Sequence, residues 1–166
     1  LWSAAPELIG DVDLTEQVLI KSAAPVLDNQ CLPGLTPVSP NPAYGYGRLD
    51  VYAAVKMALT PWRVAVKVVD AAGEPRDGVP VVLIDALTGY RYRTASGFNG
   101  VARLPRVYAG GYTLRVGEGA GSVQITGIEL AAAGSPNAGL RRYVREVVYH
   151  PFTPTDRLHL PALLHE

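Results

Sequence analysis

A short segment that is apolar on nearly every face constrains this chain most. Residues 41–50 form a turn rich in Pro, Gly and Tyr, and residues 51–59 continue as VYAAVKMAL. The apolar residues that recur there at helical spacing predict one buried stripe: Val51, Ala54, Val55, Ala58 and Leu59. Further apolar residues fall on the other faces, namely Leu49, Tyr52, Ala53 and Met57. A helix that is hydrophobic nearly all round is normally buried in a larger body, so we expect part of the protein that covers it to lie outside this sequence.

Charge and periodicity both change near Thr60–Pro61. The 166 residues can hold one ordinary domain, or a small domain and a fragment, and a hydrophobic content of 48% is ample for a core. Residues 1–61 carry three Lys/Arg and six Asp/Glu, whereas residues 62–166 carry twelve and nine. Neither half has a basic cluster interleaved with aromatic residues, so we expect no nucleic-acid partner. No apolar run reaches the length of a transmembrane helix, so we expect no transmembrane segment.

Before the boundary the sequence predicts helices and a long loop. Asp13 is followed three residues later by Glu16, which predicts a helix over residues 13–21 with Asp13 as its N-cap. Residues 24–43 are rich in Pro and predict a surface loop between this helix and the next. Asp11, Asp13 and Glu16 lack the spacing of a calcium-binding loop, and capping is the use we expect of them.

After the boundary the apolar residues alternate, which predicts strands. Trp62, Val64, Val66 and Val68 alternate with Arg63, Ala65 and Lys67. Seven strands are predicted in all, over residues 62–68, 79–84, 90–94, 101–104, 112–116, 123–130 and 140–149. The pair Asn99–Gly100 predicts a hairpin between the third and fourth of them. Short strands at this spacing predict a β-sandwich, so the fold class expected for the whole chain is α+β.

The first third of the chain resembles the C-terminal end of the catalytic domain of subtilisin-like serine proteases (subtilases). Leu1-Trp2-Ser3-Ala4 are similar to the tail of the helix that bears the nucleophilic Ser, and Pro6-Glu7-Leu8 to the turn that follows. Residues 44–50, YGYGRLD, are similar to the turn that closes the domain. The resemblance implies a Gly-Thr-Ser motif just before Leu1 and Asp and His motifs further upstream, and none of these is in the sequence. It also implies that calcium can be bound by the parent protein.

Residues 64–116 resemble the carboxypeptidase regulatory-like (transthyretin-like) module. The similarity is carried by Asp70-x-x-Gly73-x-Pro75, by Gly78-Val79-x-Val81-x-Leu83 and by Gly110-x-Tyr112-x-Leu114-x-Val116, with Thr94, Gly100 and Leu104. It implies an immunoglobulin/transthyretin-like sandwich attached as an accessory domain to a secreted enzyme, without peptidase activity of its own. It also implies that Tyr112 starts a strand and bonds its hydroxyl to nearby backbone.

A search for catalytic side chains finds no complete set. The three His residues all lie among the last seventeen residues of the chain: His150, His159 and His165. Ser96 precedes Gly97 on a predicted turn and has no neighbouring base. His150 and Asp156 are close in sequence, but a polar tail accounts for them. Glu118 and Glu129 are too isolated to form a glycosidase pair. We therefore expect no catalytic, cofactor-binding or metal-binding residues in this chain.

Two features leave alternatives open. Cys31 is the only cysteine and is either a free or buried thiol or the partner of a cysteine upstream. Five arginines on predicted strands are expected to share one exposed face with Tyr90 or Tyr92: Arg91, Arg93, Arg103, Arg106 and Arg115. Such a face either binds an acidic or carbohydrate ligand or is a solvated surface that deters edge pairing.

These observations predict three parts. Residues 1–60 are expected to be the last helices of an incomplete α/β subtilase domain, residues 62–150 an accessory β-sandwich, and residues 151–166 a tail. The chain is then the inactive C-terminal fragment of a secreted serine endopeptidase. Its partners are the upstream catalytic domain of the same polypeptide and the parent's protein or peptide substrate. The alternative is a non-catalytic extracellular binding or adhesion module.

Overall fold

The computed structural model describes residues 1–31, 34–132 and 141–149, without the side chains of Ala120 and Arg141. A 3₁₀ turn at Pro6–Leu8 and two helices, α1 at Val12–Ser22 and α2 at Val51–Ala58, come first. The strands follow as β1 Trp62–Val69, β2 Pro80–Asp85, β3 Arg91–Ala95, β4 Val101–Val107, β5 Gly110–Val116, β6 Val123–Leu130 and β7 Arg141–Val148. The seven predicted strands are confirmed. The predicted tail and His150 lie outside the described residues.

The strands form two sheets that face each other across one core. One sheet has the order β4-β1-β7, in which β1 pairs antiparallel with β4 and parallel with β7. The other is antiparallel and has the order β3-β2-β5-β6. In β1, Val64, Val66 and Val68 are buried while Arg63 and Lys67 are exposed, as the alternation predicts. The chain is thus a mixed α+β protein with a β-sandwich-like body.

The turn at residues 97–100 is not a hairpin turn, contrary to the prediction from Asn99–Gly100. The amide of Gly100 donates to the carbonyl of Gly97 at 2.7 Å, so the turn itself is tight. However, β3 and β4 belong to different sheets, and this turn carries the chain from one sheet to the other. The local sequence determines the turn, whereas the strand that pairs with β4 is determined by burial of its apolar face.

The N-cap of α1 is Asp11 rather than the predicted Asp13. The Asp11 carboxylate accepts a hydrogen bond from the amide of Leu14 at 3.0 Å, and the helix begins at Val12. Asp13 lies in the first turn of the helix, where a negative charge is favourable but caps no amide. Asp11 and Asp13 are both acidic and lie two residues apart, so residue type alone does not show which of them caps the helix.

In α2 the fully buried side chains are small, and several large ones are exposed. Ala54 and Ala58 are buried, whereas Val51, Tyr52 and Leu59 are exposed, although Val51 and Leu59 belong to the predicted buried stripe. The stripe is therefore only partly correct. The helix buries two of its alanines and half-buries Val55 and Met57, and it leaves Val51, Tyr52 and Leu59 uncovered.

The helical segment (residues 1–60) and the sandwich (β1–β7) share one hydrophobic core. Buried residues of the helical segment pack in the same cluster as the strand residues: Ala5, Leu8, Leu14, Val18, Ala54 and Ala58. Helix α1 also packs against α2. The boundary near residue 60 stays a prediction, because a continuous core crosses it.

The loop before α2 requires glycine at Gly47. Its φ is +129°, and a Cβ there would lie 2.2 Å from the carbonyl oxygen of Ala24. The contact exists because Ala24 and Arg48 exchange two backbone hydrogen bonds of 2.8 Å, which join the ends of the loop. Gly45 has a φ of +55° and no atom within 4 Å of the position of a Cβ.

We predict that Gly47→Ala lowers the free energy of unfolding by more than about 3 kcal/mol, because the methyl group displaces backbone. Gly45→Ala is the matched control and is expected to cost about 1 kcal/mol, since it only strains the backbone conformation. Urea unfolding followed by circular dichroism measures both. Equal losses in the two variants would contradict the assigned contact between Gly47 and Ala24.

Candidate functional site

A buried ion pair joins the helical segment to the sandwich. Lys21 lies in the last turn of α1, and Asp85 is the last residue of β2. The Lys21 ammonium contacts the Asp85 carboxylate, and the two side chains are only 4% and 1% exposed. Strand alternation directs Asp85 inward, like Val81 and Leu83 before it. The pair therefore lies where the last turn of α1 meets the end of β2.

Tyr112 is the second hydrogen-bond partner of the Lys21 ammonium. Lys21 Nζ donates to the Tyr112 hydroxyl at 2.7 Å, and this hydroxyl donates to the Tyr108 carbonyl at 2.5 Å. Nζ also lies 4.5 Å from the centroid of the Tyr112 ring. The bond to Tyr108 confirms the expectation that Tyr112 bonds its hydroxyl to backbone close in sequence.

The other carboxylate oxygen of Asp85 orders the turn after β2. Oδ1 accepts the amides of Leu87 at 2.9 Å and Thr88 at 3.1 Å. The Thr88 hydroxyl donates to Gln17 Oε1 at 2.5 Å, which gives this turn a second bond to α1. Both oxygens of Asp85 are therefore hydrogen-bonded, as a buried carboxylate requires.

Burial and pairing act in opposite directions on the pKa values of this cluster. Burial alone would raise the pKa of Asp85, but the hydrogen bond and charge of Lys21, with the amides of Thr88 and Leu87, lower it below its usual range. Burial lowers the pKa of Lys21, although Asp85 favours the ammonium form. Burial also raises the pKa of Tyr112, which keeps its hydroxyl protonated and able to donate.

The cluster is arranged for attachment rather than for catalysis. Each charged or hydroxyl group in it is bonded to another member or to nearby backbone, so none is directed at a substrate position. Breaking a buried pair by removing one partner is strongly destabilising, because the remaining charge stays buried. The physical role of the cluster is to fix α1 on the sandwich.

A cleft of about 290 Å³ lies beside this cluster, between α1, α2 and the segment before β5. Its lining includes Lys21, Lys56, Met57, Thr60 and Ala109. The Lys21 ammonium is already bonded to Asp85 and Tyr112, and the Thr60 hydroxyl donates to the Lys56 carbonyl at 2.9 Å. The cleft therefore brings together no nucleophile and base within the described part of the chain.

The other candidate residues have structural roles or lie apart. The Ser96 hydroxyl is buried, donates to the Arg76 carbonyl at 2.7 Å and accepts the Val79 amide at 3.0 Å, so it is not a nucleophile. Glu118 and Glu129 are exposed. Cys31 is exposed and free. Within residues 1–31, 34–132 and 141–149, no three Asp, Glu, His or Cys side chains cluster as metal ligands.

The five arginines predicted to share one face do not do so. Arg91 and Arg93 on β3 and Arg115 on β5 belong to the four-stranded sheet, whereas Arg103 and Arg106 lie on β4 of the other sheet. Tyr92, one of the two tyrosines expected on that face, is buried. Arg106 donates to the Glu7 carbonyl at 2.5 Å. The prediction was wrong for the full set, because the strands that carry these arginines belong to two sheets. It was correct in part, since Arg91, Arg93 and Arg106 line one concavity of about 210 Å³ together with Tyr90 and Tyr92.

A different arginine cluster is present on the three-stranded sheet. Arg63, Arg103 and Arg142 are exposed and line a concavity of about 300 Å³. Its remaining lining is aliphatic and includes Ala65, Pro105 and Val144. We call these three residues the arginine face. The proximity of Arg63 and Arg142 was not predicted from the sequence, because it depends on the parallel pairing of β1 with β7.

Lys21 and Asp85 were not predicted as a pair either, although the sequence around each residue indicates that it is buried. Lys21 follows Leu14 and Val18 at helical spacing, which places it on the buried side of α1. Asp85 follows Val81 and Leu83 at strand spacing, which places it on the inner face of β2. A charge on each of two buried faces indicates that the faces meet.

Comparison with protein-family models and with curated proteins finds no match. Among solved structures, fervidolysin from Fervidobacterium pennivorans, a keratinolytic enzyme related to subtilisin, matches with a TM-score of 0.41 and 19% identity. The match covers 79% of this chain and 22% of fervidolysin. The TIE protein of Bacillus anthracis matches with a TM-score of 0.39 and 11% identity, over 55% of this chain and 16% of that protein.

The group B streptococcus pilus 2b backbone protein matches with a TM-score of 0.35 and 14% identity, over 79% of this chain and 53% of that protein. This chain therefore spans between 16% and 53% of the length of these three structures. Because every TM-score is below 0.5, these similarities carry no argument about function. In the described part of the chain, no helix is long and apolar enough to cross a membrane.

We predict that Asp85→Asn and Lys21→Met each lower the free energy of unfolding by about 3–5 kcal/mol, because each leaves one buried charge unpaired. The double variant is expected to lose less than the sum of the two, since it buries no charge. The matched control is Lys67→Met with Glu146→Gln, an exposed pair at 2.8 Å that should contribute less than about 1 kcal/mol. Urea unfolding of all variants gives the coupling energies. Additive losses at Lys21 and Asp85 would contradict the assigned role of the pair.

We predict that acid destabilises the wild-type protein more steeply than the Asp85→Asn variant. The pKa of Asp85 is lower in the folded state than its unfolded value of about 3.9, so its stabilisation is complete above that value. The stabilisation is lost as the pH falls through the lower, folded pKa. Urea unfolding at several pH values between about 2 and 6 measures the difference. Parallel curves for the two proteins would show that Asp85 contributes nothing to acid unfolding.

Proposed function

We propose that this chain is the C-terminal part of a secreted subtilisin-like serine endopeptidase. Residues 1–60 are its last catalytic-domain helices, and the sandwich is its accessory domain. The parent cleaves peptide bonds through an acyl-enzyme on a Ser upstream of Leu1, and this chain alone is inactive. The resemblance of residues 44–50 to the closing subtilase turn supports the proposal, and calcium bound elsewhere in the parent is compatible with it.

The observation that carries the proposal is an uncovered apolar surface on the helical segment. Among the described residues, sixteen large hydrophobic side chains are exposed, and twelve of them precede Thr60. The most exposed on α2 are Val51 at 62% and Tyr52 at 76%, and Leu49 and Leu59, which flank the helix in the sequence, are exposed as well. Large apolar side chains exposed in such number are typical of an interface. The upstream catalytic domain of the same polypeptide is the occupant that we propose for it.

The buried pair gives the sandwich a function in this arrangement. Because Lys21 and Asp85 fix α1 on the sandwich, the sandwich supports the helices that pack behind the proposed active site. Arg106 adds a second connection through the Glu7 carbonyl, in the segment that resembles the turn after the Ser helix. We propose that the accessory domain stabilises the catalytic domain from behind and does not contact the reacting bond.

One observation favours the second candidate, a non-catalytic extracellular binding or adhesion module. The core shared by α1, α2 and the strands buries part of the helical segment without any further domain. A stand-alone module requires this burial. A stand-alone module does not explain the exposed apolar side chains of Val51 and Tyr52, so we favour the protease fragment.

The test is made in the complete protein encoded by the gene. We predict that the reading frame continues upstream of Leu1 and encodes a Gly-Thr-Ser motif, with Asp and His motifs before it. In that protein, Val51→Glu with Tyr52→Glu should lower the free energy of unfolding by more than about 2 kcal/mol, because two charges enter an apolar interface. The same change should reduce the peptidase activity of the complete protein.

The isolated 166-residue chain is the reference, in which the same change should stay within about 0.5 kcal/mol because both residues are exposed there. Phe98→Glu is the matched control, since Phe98 is 87% exposed on the sandwich and should be neutral in both proteins. A frame without the triad motifs would refute the protease and leave the binding module. A complete protease unaffected by the Val51 and Tyr52 changes would refute the proposed interface.

A further inference from the structure

The outer face of the three-stranded sheet carries three arginines that form no ion pair with any other residue that the structure describes. Arg63 on β1 is the ladder partner of Arg142 on β7, so the two residues stand directly opposite each other. Arg103 on β4 pairs with Ala65, two residues along β1 from Arg63. The three residues therefore form a diagonal band across the sheet.

None of the three guanidinium groups is neutralised within the described part of the chain. The ion pairs there are Lys21–Asp85 and Lys67–Glu146, so the acid nearest to this face along β7 is already paired. Like charges directly opposite on neighbouring strands destabilise a sheet. An anion bound between Arg63 and Arg142 would remove this repulsion, and the planar forks of Arg suit bidentate binding of carboxylates.

We propose that the arginine face binds an acidic peptide in an extended conformation. Neighbouring strands are about 4.8 Å apart and residues rise about 3.3 Å along a strand, so the band from Arg142 to Arg103 spans about 12 Å. In an extended peptide, side chains at alternate residues share one side and repeat about every 6.7 Å. Three alternate Asp or Glu residues span about 13 Å, which matches the band.

The lining of the concavity favours a peptide over an acidic polysaccharide. Ala65, Pro105 and Val144 form an aliphatic floor against which an extended backbone can lie. No aromatic side chain lines it within the described residues, whereas sites that hold rings are lined largely by aromatic and other hydrophobic groups. The site is separate from the uncovered surface of α2, and the inference is independent of whether the parent cleaves peptides.

The test uses the full chain and a fluorescein-labelled peptide, Glu-Thr-Glu-Thr-Glu, with Gln-Thr-Gln-Thr-Gln as the uncharged probe. Fluorescence anisotropy should show that the Glu peptide binds and that the Gln peptide does not. Binding of the Glu peptide should weaken as the salt concentration is raised. Arg63→Gln with Arg142→Gln should weaken binding by about tenfold, because two charge-assisted contacts are lost. Arg63→Lys with Arg142→Lys keeps the charge but loses the forks, and should weaken binding by about threefold.

The matched control is Arg91→Gln with Arg93→Gln, which removes two exposed charges from β3 in the other sheet. Arg91 and Arg93 line a different concavity, together with Arg106, so their loss should change the affinity of the arginine face by less than about twofold. Equal losses in the two Gln variants would show a general field effect and overturn the site. No binding of the Glu peptide, or tighter binding of an oligogalacturonate than of the peptide, would overturn the proposed ligand. Circular dichroism verifies that each variant is folded.

Discussion

The contact between Lys21 and Asp85 is the interaction on which the arrangement of this chain depends. Each residue lies on an otherwise apolar face, and neither charge can be buried without the other. Their pairing, with Tyr112 and the turn after β2, determines where α1 lies on the sandwich. Because α2 packs against α1, the position of the second helix follows from the same contact.

This attachment gives the helical segment two unlike sides. Toward the sandwich it contributes Leu8, Leu14 and Val18 to a closed core. Away from the sandwich, Val51 and Tyr52 are exposed at the surface of α2, whose buried residues are alanines. A helix that exposes Val51, Tyr52 and Leu59 gains little from these three side chains as it stands, and burying each would contribute about 1.5–3 kcal/mol. The covering domain that we propose would account for both sides.

Each of the two sheets also has two unlike faces. Their inner faces form the core, and their outer faces carry arginines that the sequence pattern groups together but the fold separates. Arg91 and Arg93 remain solvated on one sheet, while Arg63 and Arg142 are opposed on the other. The second arrangement places two like charges directly opposite each other beside an aliphatic concavity. The same residue type therefore has different physical consequences on the two surfaces.

Periodicity in the sequence determined the seven strands, the two helices and the buried sides of most of them, because alternation and helical spacing are local properties. The bond from Tyr112 to backbone four residues away is local in the same sense. The tertiary structure alone decided that the Asn99–Gly100 turn joins two sheets, that Lys21 meets Asp85 across 64 residues, and that Arg63 stands opposite Arg142. These three features depend on which faces, distant in the sequence, pack against each other and exclude water. No short stretch of sequence contains that information.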